Sequence, residues 1–381
     1  MKIKNLEQAA VRIQQAVEQK ERIILYGDSD MDGIASVVIL EEAIKNLGGE
    51  VFMALFPNRE NDGYGINVRA LELLKDKAPA LFITLDLGIA NVKEVATANE
   101  MRFEVIVVDH HQQLDVLPPA KIIVDPQQKG DDSDFEYLCN AGLAFKLIEE
   151  LLKDSFSRSL KDSFLELVAL ATIADMMPQI GENKIFIEQG LKSLPKTFRP
   201  GLRAFVNMMG EGEVASGGFG KIISALNSAE SIDFKNEAYE LLTTSSKETC
   251  WEISENLLSK LQLKHQMIKQ ITEEVERRIK KKPNETIVFE GDPAWRLVLA
   301  GPVASVIASK YGKPTFIFKR DGEQSYGSVR ALQEGQNSVE AMKSCADILL
   351  TYGGHPKASG FRIKTEDLEQ FKQRLTEYFK K

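Results

Sequence analysis

The first 125 residues contain four short runs of aliphatic residues, and polar or turn-forming residues follow each run. The runs lie at 22–27, 80–85, 103–108 and 121–124. They are continuous rather than alternating, which is typical of strands covered on both faces. Helical periodicity follows the first run, over 34–47, and ends at Gly48-Gly49. The pattern predicts a doubly wound α/β domain built on a parallel sheet.

The rest of the chain predicts a second, smaller α/β domain that a long helix joins to the first. Helices are expected at 141–153, 163–175 and 185–194, then a glycine-rich irregular stretch at 198–231, then one long helix at 248–281. Four further strands are expected at TIVF (286–289), WRLVLA (295–300), PTFIF (314–318) and SYGSVR (325–330). The predicted domains are 1–195, a helical and irregular connector at 196–284, and 285–381.

Composition narrows the class of protein. The chain has 381 residues and a formal net charge of −8. A negative net charge does not indicate nucleic-acid binding, but it does not exclude it, because a local basic groove can lie on an acidic protein. The chain lacks a run of about 18 apolar residues, so no membrane span is expected. The amphipathic segment 1–20 does not resemble a signal peptide. Only three cysteines occur, with no CxxC pair, which fits a reducing cytoplasm.

Acidic residues and imidazoles concentrate where the predicted strands end. Ligands of open α/β sheets bind outside the carboxyl ends of the strands, so these side chains are expected to converge. They are Asp28, Asp30 and Asp32 after the first run, Asp86 after the second, Asp109, His110 and His111 after the third, and Asp175 at the end of an apolar helix. Taken singly, each has an ordinary alternative, such as a solvated turn, a helix cap or a structural histidine. Together, their oxygen-rich set suits two octahedral Mn²⁺ or Mg²⁺ ions better than tetrahedral zinc.

A second group of candidates could bind phosphate. Glycines expose backbone N–H groups, and arginine adds positive charge. The candidates are Ser328 and Arg330 after a strand, Gly353, Gly354 and His355 in an expected glycine-rich loop, and Arg59 in an earlier loop. An ordinary turn and a surface salt bridge are the alternative interpretations.

Several motifs, in order along the chain, resemble those of the DHH phosphoesterase superfamily, and specifically its RecJ-like branch. The similar segments are DSDMDG (28–33), PNRENDGYG (57–65), LDLG (85–88), VVDHH (107–111), NAGLAFKLIEEL (140–151), ATIADMMPQIGENK (171–184) and GGHPKASG (353–360). The resemblance covers almost the whole chain. It departs at Ser228, where the family has an arginine, and at Trp295-Arg296, where it has Trp-His.

The resemblance implies a two-metal phosphodiesterase with specific residue roles. Asp28, Asp30 and Asp86 would serve one cation, and Asp32, Asp86, His110 and Asp175 the other. His111 would contact the scissile phosphate, and Asp109 would orient a histidine. Ser328, Arg330 and Arg59 would bind the terminal phosphate, while Gly353, Gly354 and His355 would contact substrate from the second domain.

The implied activity is a single-strand-specific exonuclease acting on DNA ends, mainly 5′ to 3′, in repair, recombination or replication. The resemblance implies a short form lacking the oligonucleotide-binding domain. Expected partners are single-stranded nucleic acid, DNA ahead of RNA, and repair or replication proteins, with no membrane. Three alternatives stay open. They are an oligoribonuclease or cyclic-dinucleotide phosphodiesterase, a 3′ to 5′ exonuclease docked on a replication complex, and a catalytically quiet subunit of such a complex.

Overall fold

A computed structural model describes residues 3–113 and 116–380. The chain divides into two units, and the boundary between Leu261 and Gln262 falls inside a long helix. The expected pair of α/β domains is confirmed. The expected limits at 195 and 284 remain a prediction. Within the described ranges, no helix combines the length and apolar character needed to cross a membrane.

A five-stranded parallel sheet forms the centre of the first unit, in the order β2-β1-β3-β4-β5. Its strands are β1 Ile23–Gly27, β2 Val51–Leu55, β3 Ala80–Leu85, β4 Phe103–Val108 and β5 Ile122–Val124. The four predicted runs all form strands. Parallel pairing brings the carboxyl ends of β1, β3 and β4 to one edge, which is where the acidic motifs follow.

Both faces of this sheet are buried, as the continuous aliphatic runs predict. Side chains alternate between the faces along a strand, so Leu81 and Ile83 enter one core while Phe82 enters the other. The first core includes side chains from the helices that run before β1 and after β1 and β5. The second core includes those between β2 and β4.

Helices account for most of the remaining first unit. They are α1 Leu6–Glu18, α2 Met31–Asn46, α3 Val68–Leu74, α4 Val92–Glu100, α5 Asn140–Leu152, α6 Arg158–Ala174, α7 Gly181–Ser193, α8 Pro200–Met209, α9 Glu211–Glu213, α10 Phe219–Leu226, α11 Glu237–Thr243 and α12 Lys247–Lys280. A short hairpin, β6 Ser231–Ile232 with β7 Lys235–Asn236, lies between α10 and α11. The predicted long helix is confirmed as α12, which contains the boundary between the units.

Two features of the first unit differ from expectation. Strand β2 was not predicted, although its residues VFMAL are all apolar; it lies at the sheet edge and is only half buried. The stretch 198–231 was predicted to be irregular, but it contains α8 and α10. Pro200 stands at the start of α8, where its missing N–H costs nothing, and four of the glycines lie between the two helices, at 210, 212, 217 and 218. The prediction of an irregular chain followed from the number of glycines and did not use the helical spacing of the apolar residues.

The second unit is built on a mixed sheet in the order β11-β12-β10-β9-β8, in which only β8 and β9 pair in parallel. Its elements are β8 Val288–Asp292, α13 Leu297–Tyr311, β9 Thr315–Asp321, β10 Gln324–Arg330, α14 Ser338–Lys343, β11 Leu349–His355, β12 Ala358–Lys364 and α15 Leu368–Phe379. One face packs on α14 and α15, and the other on α13 and the end of α12.

Two expectations for the second unit are wrong. WRLVLA is not a strand, because Leu297 begins α13 and its apolar residues lie on a helix. The stretch around Gly353, Gly354 and His355 is not a loop but the end of β11, which turns through Pro356-Lys357 into β12. The glycines in this segment led to the prediction of a loop, because glycine is uncommon inside most strands.

Gly190 of α7 provides a test of how tightly α6 and α7 pack. A Cβ at this position would lie 2.1 Å from the Leu165 carbonyl oxygen and 2.7 Å from the Ala169 Cβ. Helix propensity alone favours alanine by about 1 kcal/mol. We expect overpacking to outweigh it, so Gly190→Ala should lower the free energy of unfolding by about 1–3 kcal/mol in urea denaturation.

Gly212→Ala is the matched control for this change. A Cβ at Gly212 would meet no atom within 4 Å, so its free energy of unfolding should not fall. An equal or higher stability of Gly190→Ala would contradict the close approach of the two helices.

Candidate metal centre

The backbone hydrogen bonds of the parallel sheet continue past the ends of the strands to the first aspartate of each acidic motif. The Asp28 N–H donates to the Leu85 carbonyl at 3.2 Å, and the Asp86 N–H donates to the Val108 carbonyl at 3.0 Å. The Asp109 N–H donates to the Val124 carbonyl at 3.0 Å. Asp28, Asp86 and Asp109 therefore sit in neighbouring positions along one edge, as the sequence predicts.

The first set of candidate ligands is Asp28, Asp30 and Asp86, each of which offers an oxygen within 4.8 Å of the others. Asp30 also caps α2, because its Oδ1 accepts from the N–H groups of Asp32 and Gly33 at 3.1 Å. Gly33 is required here, since a Cβ would lie 2.5 Å from the Asp28 carbonyl oxygen. The turn after β1 therefore presents its carboxylates in a fixed arrangement.

Arg59 forms ion pairs with this first set. Its Nε donates to Asp28 Oδ1 at 2.8 Å, and one terminal nitrogen contacts both Asp28 Oδ2 and Asp30 Oδ2, the latter at 2.8 Å. Burial raises the pKa of Asp28, although the charge of Arg59 opposes that shift. Arg59 is thus placed at the acidic edge. Its expected contact with a terminal phosphate stays a prediction.

The second set of candidate ligands is Asp32, His110 and Asp175. The Nε2 atom of His110 lies 3.6 Å from Asp32 Oδ2 and 3.6 Å from Asp175 Oδ2. Its Nδ1 lies 3.0 Å from the Leu138 carbonyl oxygen, which fixes the ring so that Nε2 points at the carboxylates. Asp175 is the C-cap of α6. The predicted helix-end carboxylate therefore reaches the same edge.

Asp86 lies between the two sets. It belongs to the first, and its Oδ1 is 3.2 Å from His110 Nε2. Its backbone is left-handed, with φ of 65°, a conformation that aspartate tolerates better than most residues. Burial raises the pKa of Asp86 well above its ordinary value, and the charges of Asp32 and Asp30 add to the shift.

The donor chemistry fits divalent cations. Among the described residues, Asp86 Oδ1 and Asp175 Oδ2 are buried and receive no hydrogen bond. Burial also raises the pKa of Asp175 to about 7, although the charge of His110 opposes that shift. Buried carboxylate oxygens of this kind are destabilising unless positive charge lies beside them. Two carboxylate-rich sets that meet at Asp86 are suited to hard cations with oxygen ligands.

His111 and Asp109 form a separate ion pair at the edge of the same site. His111 Nδ1 donates to Asp109 Oδ1 at 2.8 Å, and Asp109 also accepts from the N–H groups of Ile89, His110 and His111. Burial alone would raise the pKa of Asp109, but His111 holds it at about 2. Burial alone would lower the pKa of His111, but Asp109 raises it to about 9. Asp109 therefore orients His111, and both residues lie where the sequence predicts.

Three residues that were not predicted as site residues contribute to the site. Tyr64 is 51% exposed, and its hydroxyl lies 3.1 Å from the Asp86 carbonyl oxygen and 3.2 Å from His111 Nδ1. The N–H of Asn140 donates to Asp32 at 2.7 Å. Asp125 is fully buried directly after β5. A strand-end aspartate was a usable signal for Asp125, whereas Tyr64 lies in a loop whose path the sequence does not specify.

The remaining candidates lie in the second unit and share part of its sheet. Ser328 and Arg330 point to the same face of β10, and Arg330 Nε donates to Ser305 Oγ of α13 at 3.0 Å. Gly353, Gly354 and His355 end β11, where His355 and Arg330 both pair with Ala358 of β12. Their expected roles in substrate binding stay predictions.

Two family models match this chain. The model of the DHH family, N-terminal domain, matches residues 22–172, and the DHHA1 domain model matches residues 284–381. Residues 22–172 therefore match a DHH-family N-terminal domain and residues 284–381 a DHHA1 domain, in the order that the motifs indicate.

The curated relatives that the chain matches include RecJ proteins. The chain is 32% identical over 382 residues to the single-stranded-DNA-specific exonuclease RecJ of Bacillus subtilis, covering 98% of this chain and 48% of that protein. It is 31% identical over 382 residues to RecJ of Thermus thermophilus, covering 99% and 54% respectively. The chain thus spans about half the length of these curated relatives.

A crystal structure of exonuclease RecJ bound to manganese matches at 28% identity with a TM-score of 0.78. The match covers 100% of this chain and 96% of the other. This likeness extends over both units.

Removing the charge of Asp109 tests the ion pair with His111. In Asp109→Asn we expect the pKa of His111 to fall from about 9 by at least about one unit, because burial then acts against the imidazolium without an anionic partner. An NMR titration of the histidine ring in metal-free buffer measures the shift. Asp76→Asn, an exposed carboxylate after α3, should leave that pKa unchanged. An unchanged pKa in Asp109→Asn would exclude the ion pair as its cause.

Asp125 makes a prediction about pH and stability. Burial and then the charge of Asp109 raise its pKa to about 8, while His110 and His111 oppose the shift. Between about pH 4 and pH 8 the folded state keeps a proton that the unfolded state releases, so Asp125 lowers stability as pH rises. Asp125→Asn removes this effect and keeps an acceptor for the Gln127 N–H.

The stability gained by Asp125→Asn should therefore be at least about 1 kcal/mol larger at pH 8 than at pH 5. Urea denaturation in the presence of a chelator measures it at both pH values. Asp76→Asn serves as the control and should show no such trend. A gain that is equal at both values would contradict the raised pKa.

Proposed function

We propose that this protein is a RecJ-like exonuclease, a Mn²⁺- or Mg²⁺-dependent phosphodiesterase that releases nucleotides from the ends of single-stranded DNA, in the 5′ to 3′ direction. One observation carries the proposal. Carboxylates from two strand ends, a helix start and a helix end meet two histidines at a single sheet edge, with Asp86 within 3.2 Å of His110.

Similarity to relatives supports this activity over the alternatives. The curated relatives that match are named single-stranded-DNA-specific exonucleases, and a matching structure is a RecJ bound to manganese. The activity in the names of these relatives is not that of an oligoribonuclease or a cyclic-dinucleotide phosphodiesterase. The catalytically quiet subunit is disfavoured, because all of the expected ligand residues are present and come together.

We assign the ligands as the two sets suggest. Asp28, Asp30 and Asp86 would hold one cation, and Asp32, Asp86, His110 and Asp175 the other, so that Asp86 bridges the two. Divalent cations at such a site supply positive charge for phosphate oxygens and make a neighbouring water more acidic. Arg59, which contacts Asp28 and Asp30, would supply a guanidinium for the terminal phosphate.

Asp109 and Tyr64 of the first unit would orient His111, which would bind the scissile phosphate. Asp109 accepts from His111 Nδ1, so the opposite edge of the ring can meet the scissile phosphate and hold a proton there. Tyr64 also limits the movement of that ring, because its hydroxyl lies 3.2 Å from His111 Nδ1. The pair would keep His111 aimed at the reacting phosphate.

Residues of the second unit would bind the strand itself. Ser328 and Arg330 supply a hydroxyl and a guanidinium for a terminal phosphate, and Gly353, Gly354 and His355 offer backbone and imidazole groups. We place the protein in a reducing cytoplasm, because Cys139, Cys250 and Cys345 are buried and form no disulfide. Repair or replication proteins would be its protein partners.

Removing a central ligand should abolish turnover. We expect Asp86→Ala and His110→Ala each to lower release of nucleotides from end-labelled single-stranded DNA at least about 100-fold in Mn²⁺, since ligands and their orienting partners control metal affinity. Asp76→Ala is the matched control and should retain wild-type rates. Full activity of both site variants would end the two-metal proposal.

Substrate length and polarity distinguish the proposed activity from its alternatives. With 5′- and 3′-labelled DNA and RNA of about 20 nucleotides, we expect the 5′ label of DNA to be released first as short product, because the terminal-phosphate residues recognise that end. A parallel assay uses a dinucleotide. Faster turnover of the dinucleotide than of the longer strand would favour the small-substrate alternative, and early loss of the 3′ label would reverse the polarity.

A further inference from the structure

One face of the sheet in the second unit carries a row of basic and aromatic side chains. Strand register places Lys319 of β9 opposite Tyr326 of β10, and Tyr326 opposite Arg362 of β12. We call these three residues the basic aromatic row. It lies on the same face as Ser328 and Arg330, because side chains two positions apart on a strand point the same way.

Gln324 holds the row in place. The Arg362 Nε donates to Gln324 Oε1 at 2.6 Å, and the Tyr326 hydroxyl donates to the same oxygen at 3.1 Å. The Arg362 guanidinium lies 5.3 Å from the centre of the Tyr326 ring. Among the described residues, Arg362 forms no ion pair with a carboxylate, so its charge is available to an anion.

The neighbouring row on this face is almost free of side chains. Ser328, Gly360 and Gly353 pair in register across β10, β12 and β11, and we call them the glycine lane. A Cβ at Gly353 would meet no atom within 4 Å, and one at Gly360 would meet only the Gly327 carbonyl oxygen at 3.4 Å. The lane is therefore a shallow channel that is open at Gly360 and Gly353 and that α13 covers at Ser328, where a Cβ on Gly301 would lie 3.6 Å from the Ser328 Oγ. The basic aromatic row lies along one side of the channel and Arg330 along the other.

This arrangement has the properties of a single-strand binding surface. Bases stack on aromatic rings and on guanidinium planes, and nearby cations contact the phosphates. Glycines let a ligand backbone approach the sheet closely. A cross-strand Arg–Tyr pair can also stabilise a sheet without any ligand, but that role does not require an open lane beside it.

We propose that the basic aromatic row and the glycine lane form a subsite for one nucleotide of a single DNA strand, which adjoins the terminal-phosphate residues Ser328 and Arg330 and shares Ser328 with them. The base rests on the Tyr326 ring, and the Arg362 guanidinium beside that ring and Lys319 contact the flanking phosphates. This subsite rests on the proposed function, since it extends strand binding within the same unit.

The test measures binding separately from catalysis. The full chain is titrated against a fluorescent single strand of about 20 nucleotides in a chelator, so that no cleavage is needed. We expect Tyr326→Ala to weaken the Kd at least about fivefold and Tyr326→Phe to bind as wild type, because phenylalanine keeps the ring. Arg362→Gln should weaken binding and reduce the slope of log Kd against log salt by about one phosphate contact.

Arg320→Gln is the matched control, because Arg320 is the exposed neighbour of Lys319 and points to the opposite face. Its affinity should stay near that of wild type. Hydrolysis of bis(p-nitrophenyl) phosphate in Mn²⁺, a small substrate that needs no strand-binding surface, should be unchanged in all four variants.

The outcomes separate the two proposals. Wild-type affinity and salt slope in both Tyr326→Ala and Arg362→Gln would overturn the subsite, whatever the hydrolysis rates. If Tyr326→Ala lost both affinity and hydrolysis, a folding defect would account for both losses. The subsite would then be decided by the affinities of Arg362→Gln, expected to be weaker, and Tyr326→Phe, expected to equal wild type. Wild type that hydrolyses neither DNA nor the small substrate would contradict the proposed function, and the binding comparison would still decide the subsite.

Discussion

The concentration of carboxylates at one buried sheet edge is the constraint on which the first unit depends. Unpaired carboxylates in such a place are strongly destabilising, and each therefore needs positive charge or hydrogen-bond donors. The chain supplies both. Arg59 pairs with Asp28 and Asp30, and backbone N–H groups donate to Asp30 and Asp109. These groups leave Asp86 Oδ1 and Asp175 Oδ2 without a hydrogen bond. A cation would supply the positive charge that these two oxygens need.

Parallel pairing explains how residues far apart in sequence meet. Each strand ends at the same edge, and the ladder bonds continue one residue beyond β1, β3 and β4 into the aspartates. Asp28, Asp86 and Asp109 are thereby spaced by the sheet itself rather than by flexible loops. Helix α6 then brings Asp175 to this edge from the packed layer beside the sheet. A site of this kind is as rigid as the core that carries it.

The sequence was informative where the chemistry and the fold share a signal. Continuous aliphatic runs followed by aspartates predicted β1, β3 and β4 together with Asp28, Asp86 and Asp109, since one pattern marks both strand and site. It was uninformative where glycine has two meanings. In 198–231 and in β11, glycines suggested irregular chain, whereas the structure uses them between helices and inside a hairpin. The contacts of Tyr64 and Arg59 depend on the path of a loop, which a local pattern does not contain.

Asp32 is a candidate metal ligand that also connects two helices. It lies in the first turn of α2, and its two carboxylate oxygens accept from the N–H groups of Asn140 and Ala141 at the start of α5, both at 2.7 Å. Asp32 therefore connects α2 to the start of α5, and its Oδ2 atom also lies 3.6 Å from His110 Nε2. An amide at this position would turn an NH₂ group towards one of those N–H donors, and a longer acid would misplace both contacts. Aspartate is thus the one acidic side chain whose length and symmetry allow it to accept both N–H groups and still be a candidate metal ligand.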